Sequence, residues 1–440
     1  MKSRYRFTFL ILALIAVGAI FLKEDLVPVD NPAFDKADIA WMLTASGLVL
    51  LMTPGLSFFY GGMVSKKNII STMLQSFISL GVVTLLYVIV GFSLCFGDSY
   101  YGIIGNPFQY FFFRNVGLNI NESLAPTIPI LLFAIFQLKF AIITPALITG
   151  SFAERVKFNA YLIFITLFSL FIYCPLAHWT WHPDGFLRQW GVLDFAGGTV
   201  VHMSAGYAAL AGALFLGPRT SFGDSKHTEP ANIPYVILGT GMLWFGWFGF
   251  NAGSSLGANI IAVQAFATTI AASASAMMAW IFFDAARGKK PSAMGACIGS
   301  VVGLVAITPA AGFVSIPHSI FIGFIAALIS NLAVRAKNKS NLDDTLDVFP
   351  CHGVGGIVGM MMTAVFAREV GLFYGDTTTF LYHLLALVIV SVYTFGGSYL
   401  LYWVTDKIEP LRVSVADEDF GLDFTQHGET YKLKKPLPQL

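Results

Sequence analysis

Apolar residues run along this chain in long, nearly unbroken blocks, without the alternation of a half-buried strand. Eleven blocks lie at about 39–61, 69–96, 127–152, 159–182, 194–217, 232–253, 258–284, 293–308, 314–335, 347–367 and 379–404. A helix crossing the hydrocarbon core of a bilayer needs roughly 20 such residues. Period-two patterning is missing, which argues against a β-barrel. The pattern therefore predicts an all-α polytopic membrane protein with eleven transmembrane helices.

Residues 1–22 stand apart. Lys2, Arg4 and Arg6 precede an apolar run from Phe7 to Leu22, which is short for a span. Val17-Gly18-Ala19 offers a cleavage site, so the segment reads first as a signal peptide, with an uncleaved N-terminal anchor as the rival. Either reading makes 23–38 an extracytoplasmic segment, 39–405 the membrane domain and 406–440 a cytoplasmic tail.

Loop charge orients the bundle. Alternate loops carry Lys66, Lys67, Arg155, Lys157, Arg219, Lys226, Arg287, Lys289, Lys290, Arg335, Lys337 and Lys339, twelve in all, whereas the loops between them carry only Arg114, Arg188 and Arg368. The first set is expected inside. The mature N-terminus is then outside and the C-terminus inside, in keeping with the five Lys and Arg of the polar tail.

Composition agrees with this placement. Of 440 residues, 56% are hydrophobic and 12% charged, while a soluble chain carries about a quarter charged residues. Mean hydropathy is +0.71. A net charge of +1 gives no support to nucleic-acid binding. Cys95, Cys174, Cys297 and Cys351 show no metal or disulfide spacing. The 42 glycines fall largely within apolar blocks, as suits close packing of membrane helices.

Two short echoes suggest an internal repeat. Ile143-Thr144-Pro145-Ala146 in the third block recurs as Ile307-Thr308-Pro309-Ala310 in the eighth. Leu193-Asp194 opens the fifth and Leu346-Asp347 the tenth, and each Asp is followed by a His. Five is odd, so two five-helix halves would be inverted, followed by a final helix. Transporters built this way place the path between the halves.

The candidate chemistry follows from that plan. His202 and His352 lie in glycine-rich apolar spans at matching places in the two halves. An ionisable side chain inside a membrane is costly and points to a pathway; the bland alternative is a histidine bonded to a neighbouring helix. Two imidazoles side by side can pass a proton or guide a small polar molecule. A second cluster gathers at the predicted outer face. It comprises Trp179 and Trp181 at the end of the fourth helix, Asp194 at the start of the fifth, Trp244 to Ser254 at the end of the sixth, and Phe136 and Phe140 on one face of the third. Rings, a hydroxyl and a carboxylate suit a small cation, since cation–π attraction is worth about 0.5–2 kcal/mol depending on desolvation. The competing roles are an interfacial belt for the tryptophans and a helix cap for Asp194.

The segments Leu51 to Gly55 with Phe59 to Gly62, Phe152 to Arg155, Leu193 to His202, Gly246 to Ser254 and Asp347 to Gly356 together resemble the Amt/Mep/Rh ammonium transporter family, of Amt type like the bacterial AmtB proteins. The likeness runs from about residue 40 to 430. It implies a substrate-binding site for ammonium at Trp181, Ser254, Phe140 and Asp194, with Asp194 supporting the site without touching the ion. It implies a pore gate at Phe140 and Phe250 and a pore lined by the twin histidines His202 and His352. It further implies homotrimers in the cell membrane, transport of ammonium or ammonia for nitrogen uptake, and regulation by a PII-type protein (GlnK). Substrate size makes methylammonium an expected competitor. Asp417 to Asp423 and His427 to Glu429 resemble the family's regulatory tail. No cofactor or metal is expected, and no nucleophile accompanies the histidines to suggest an enzyme. Rival functions on the same fold are a Rhesus-type gas channel, which lacks the Trp and Ser site, and an ammonium sensor, which usually carries a fused signalling domain. Lys139 fits none of this; at about 100° per residue it points away from the Phe140 face.

Overall fold

The structure is a computed structural model describing residues 2–21, 32–223 and 229–431. Met1 and Leu22 of the predicted leader, residues 23–31 of the predicted outer segment, Lys226 and tail residues 432–440 lie outside the described residues. The chain begins with α1 (Lys2–Ala19). There follow α2 (Lys36–Met63), α3 (Ile69–Phe96), α4 (Ile130–Phe152), α5 (Phe158–Gln189), α6 (Gly198–Leu216), α7 (Ile233–Gly253) and α8 (Ile260–Ala286). Then come α9 (Ala293–Ile307), α10 (Ile316–Asn338), α11 (Phe349–Phe366) and α12 (Thr378–Ile408). Two short helices, α13 (Val415–Phe420) and α14 (Leu422–His427), close the described chain. A hairpin of two residues a strand, Ser99–Tyr100 with Ile104–Gly105, interrupts the α3–α4 connection.

Ten of these helices are long and apolar enough to cross a membrane, among the described residues. The predicted block at 293–308 forms α9, which has 15 residues. At 1.5 Å per residue it is about 22 Å long, short of a hydrocarbon core of about 30 Å. The chain is an all-α, multi-pass membrane protein. Lipid offers no hydrogen bonds, so the backbone must close its own, and helices do this within one segment. Exposed ends are capped by short polar side chains. Asp35 accepts the Ala37 and Asp38 N–H groups, and Asn232, Asn259 and Ser292 accept those of Tyr235, Ala262 and Gly295.

Packing depends on small residues. Along α2 and α7 the backbones nearly touch: a Cβ on Gly239 would lie 2.3 Å from the Phe59 nitrogen. At the crossing of α6 and α11, a Cβ on Gly206 would lie 2.2 Å from the Gly353 nitrogen. A backbone atom cannot step aside as a side-chain tip can, so overpacking here exceeds the usual cost of about 1–3 kcal/mol. Gly206→Ala is therefore expected to lower the melting temperature in detergent by several degrees and to cut the yield of folded protein. Gly47→Ala, with nothing within 4 Å, serves as the control and should melt like the parent chain.

The tail is bonded to the membrane domain. Lys67 Nζ donates to the Glu418 and Asp419 carbonyls at 2.9 and 2.7 Å. The Asp423 carboxylate accepts the Ser71 N–H at 2.8 Å, at the start of α3. Arg219 joins Glu154 (2.7 Å) and Asp343 (2.8 Å). Burial raises both carboxyls, but the Arg219 charge and bonds to each overcome it and hold them below the usual carboxylate range.

Candidate functional site

The site begins with a helix start. In α6 the first turn, Gly198–Met203, is a π turn. Its wider winding shows in the His202 N–H, which donates five residues back to Gly197 at 3.0 Å. The free N–H groups ahead of it converge on one carboxylate. Asp194 accepts from the Gly197, Gly198 and Thr199 nitrogens at 2.8, 2.6 and 2.7 Å and from the Thr199 hydroxyl at 2.6 Å. Asp194 is thus a cap, and four donors spread its charge.

Helix α11 repeats the device. Its π turn spans Phe349–Val354 and carries His352. The cap, however, is Asp344, which accepts the Val348 and Phe349 N–H groups at 3.1 and 2.7 Å. The sequence-based pairing of Asp194 with Asp347 is corrected accordingly: Asp347 instead bridges to Lys337 at 2.7 Å. The spacing held the clue, since Asp194 and Asp344 each precede their histidine by eight residues. Burial pushes the Asp344 carboxyl up to about 6 against the pull of Lys337.

Five rings form a column between these helices. Trp181 lies edge-on to Phe140, with centroids 5.6 Å apart. Phe140 stacks on Phe250 at 4.2 Å, and both are almost wholly buried. Below them Phe250 approaches His202 at 6.1 Å. His202 and His352 then meet Nδ1 to Nδ1 at 3.4 Å. One of those nitrogens must donate and the other accept, so the pair has a single proton on that line. His202 Nε2 is buried and has no partner among the described residues. Beyond His352 lies a void of about 10 Å³ against Phe59, Tyr60 and Cys351, close to the space of one water molecule.

Above Phe140 opens a cavity of about 170 Å³ lined by Phe140, Trp181, Asp194 and Ser254, with Gln137 and Arg188. The Trp181 indole N–H donates to the Asp194 carbonyl at 3.1 Å, which fixes the ring. The Ser254 hydroxyl donates to the Phe250 carbonyl at 2.8 Å, so its lone pairs remain for a donor. Trp181, Phe140, Phe250, Ser254, Asp194, His202 and His352 thus fall on the column or at its mouth, whereas Trp179 turns aside, donating to the Ile103 carbonyl at 2.7 Å and packing on Phe186 and Tyr393. Lys139 is partly exposed and does not line the cavity.

Two side chains hold places that the sequence reading did not give them: Trp247, grouped there with the outer cluster, and His383. Trp247 stacks flat on His202 at 5.4 Å and is held by its N–H to the Thr308 hydroxyl at 2.9 Å. That threonine belongs to the repeated Ile-Thr-Pro-Ala tetrad, which was the available signal. His383 on α12 accepts the Leu193 N–H at 2.9 Å and faces the Met360 carbonyl at 3.0 Å. It thereby ties the Asp194 loop to α11. Nothing in the sequence near His383 marks that role.

Residues 40–432 match the family model described as Ammonium Transporter Family. An ammonium transporter of Aquifex aeolicus is 47% identical over 405 residues, covering 90% of this chain and 93% of the relative. One of Bacillus subtilis is 42% identical over 402 residues, covering 89% and 97%. Among solved structures, Saccharomyces cerevisiae Mep2 superposes with a TM-score of 0.83 at 32% identity, over 92% of this chain and 94% of that one. A structure described as a sensor Amt protein has a TM-score of 0.82 at 30% identity, over 89% and 98%.

Proposed function

This chain belongs to the ammonium transporter family, and from that premise we propose that it recruits ammonium at the Trp181 vestibule, removes a proton and conducts ammonia past His202 and His352. The observation that carries the reading is the Nδ1–Nδ1 approach of 3.4 Å between the two histidines, at the foot of a closed ring column. An unpaired ion at the bilayer centre is expensive. Neutral ammonia is not, and the shared imidazole proton supplies a relay for the charge left behind. Ammonium sheds part of its water against the Trp181 face and the Ser254 hydroxyl, and the stacked Phe140 and Phe250 rings exclude the rest.

The same reading has the chain cross the membrane eleven times in two inverted halves and a final helix, with α9 as the shortest crossing. The mature N-terminus lies outside and the C-terminus inside. The protein works as a homotrimer in the cell membrane, takes methylammonium as a competitor, and binds a PII-type protein (GlnK) against the docked tail. Residues 1–22 serve as signal peptide or anchor.

The test is an ammonium pulse on proteoliposomes. The expected result is a saturable inward current, whereas uptake without current would assign a Rhesus-type gas channel. Trp181→Leu should raise the half-saturating ammonium concentration about 2- to 30-fold, the range that follows from a cation–π contribution of about 0.5–2 kcal/mol. An unchanged value would remove the indole from the recruiting role.

The likeness to a structure described as a sensor Amt protein supports a second reading, an ammonium sensor of the same fold. Ammonium binding without net uptake in the same vesicles would select it.

A further inference from the structure

The vestibule contains a polar group with no assigned task. Gln137 stands three residues before Phe140 on α4, on the same helix face, and lines the cavity with Trp181 and Ser254. Its side chain is only 9% exposed, and its amide oxygen has no hydrogen-bond partner among the described residues. A buried carbonyl without a donor bears its full desolvation penalty, which makes such groups rare unless a ligand completes them. The terminal amide torsion is soft, and half a turn exchanges oxygen for nitrogen with no change of shape.

Ammonium presents four N–H donors and no lone pair. Among the acceptors described at the mouth, the Ser254 oxygen keeps its lone pairs free. The Asp194 carboxylate already takes four donors. Ser254 spends its hydrogen on Phe250 and offers only oxygen lone pairs. The indole and phenyl faces attract charge without fixing direction. We propose that Gln137 is a specificity-determining ligand of the vestibule, whose amide oxygen accepts one N–H of the bound ammonium. This inference rests on the recruiting role proposed for Trp181 and Ser254. It gives that site a second directional acceptor beside Ser254, and with it a preference: methylammonium has one N–H fewer, and a methyl group turned toward the amide would leave the oxygen unpaired again.

Gln137→Leu keeps nearly the same volume and removes the acceptor; Gln137→Glu keeps the shape and strengthens it. Currents from the full-length protein in proteoliposomes give half-saturating concentrations for ammonium and for methylammonium. The leucine variant is expected to raise the ammonium value about tenfold, as for one lost charge-assisted hydrogen bond. It should raise the methylammonium value less, so that discrimination between the two shrinks. The glutamate variant should bring the ammonium value to or below that of the parent protein. If ammonium half-saturation stays put in Gln137→Leu while Trp181→Leu shifts it, the glutamine is idle and the inference is overturned with the vestibule intact. Equal losses for both ions, appearing mainly in maximal current, mean a packing role and also overturn it. If Gln137→Leu fails to fold, the glutamate variant decides, and a raised half-saturation there overturns the proposal. A parent protein whose current never saturates would instead sink the recruiting site itself.

Discussion

Replacing His202 and His352 together by leucine is expected to lower the ammonium current at least about a hundredfold, while the protein still reaches the membrane. Leucine approximates the volume of imidazole, so the column of rings above it should keep its packing. What is lost is chemical. The two Nδ1 atoms stand 3.4 Å apart and share one proton site, and among the described residues no other ionisable side chain is stacked between Phe250 and His352. A charge left at the foot of the column would then face an all-carbon passage, and moving it costs at least a few kcal/mol, of which about 2.7 kcal/mol already corresponds to the hundredfold loss. Neutral ammonia should still pass, so uptake measured by a pH dye would fall less than current. His352→Ala alone leaves His202 without its Nδ1 partner and with Nε2 already unpartnered. It is expected to alter selectivity among small cations. Ammonium currents and selectivity equal to those of the parent in the double variant would refute the relay.

Asp194→Ala is expected to destabilise the protein by at least about 3 kcal/mol, beyond an ordinary lost helix cap of about 0.5–2 kcal/mol. Four donors converge on this carboxylate, and all are buried. Removing it orphans three backbone N–H groups at the π turn that carries His202. The Asp194 carbonyl that holds the Trp181 indole would lose its anchored backbone as well. Thermal unfolding in detergent and the yield of monodisperse protein measure the loss. Asp194→Asn divides the two roles of the residue. Its oxygen can keep the bonds from Gly197 and Gly198, while its amide nitrogen opposes the Thr199 N–H. A capping role predicts stability between those of the parent and the alanine variant, with apparent ammonium affinity following the fraction folded. If instead the asparagine variant is as stable as the parent but binds ammonium far more weakly, the carboxylate acts mainly through its charge.

Much of the candidate site was legible from residue order. Trp181, Phe140, Phe250 and Ser254 were gathered because the ends of successive blocks return to the same membrane face, and the structure brings Trp181, Phe140 and Ser254 around one cavity with Phe250 stacked beneath Phe140. The histidines were paired because an ionisable group within an apolar block is conspicuous. Asp344 was overlooked because the more obvious Leu-Asp echo at Asp347 competed with the eight-residue spacing to His352. The vestibule role of Gln137 was invisible, since a glutamine inside an apolar block carries no periodic or motif signal. Whether its oxygen finds a donor is a property of its neighbours alone.

The order of residues by itself determined the class of solvent this protein folds in and the number of apolar blocks. Both follow from one local quantity, apolar length, measured against a bilayer of nearly constant thickness. The resemblance to the family was likewise written in linear motifs. Tertiary structure alone decided that two imidazoles 150 positions apart meet nitrogen to nitrogen, which carboxylate caps which π turn, and that Trp247 lies flat on His202. Such contacts are set by how closely Gly206 lets α6 approach Gly353 of α11. That distance depends on the shape of both surfaces at once, and no single segment encodes it.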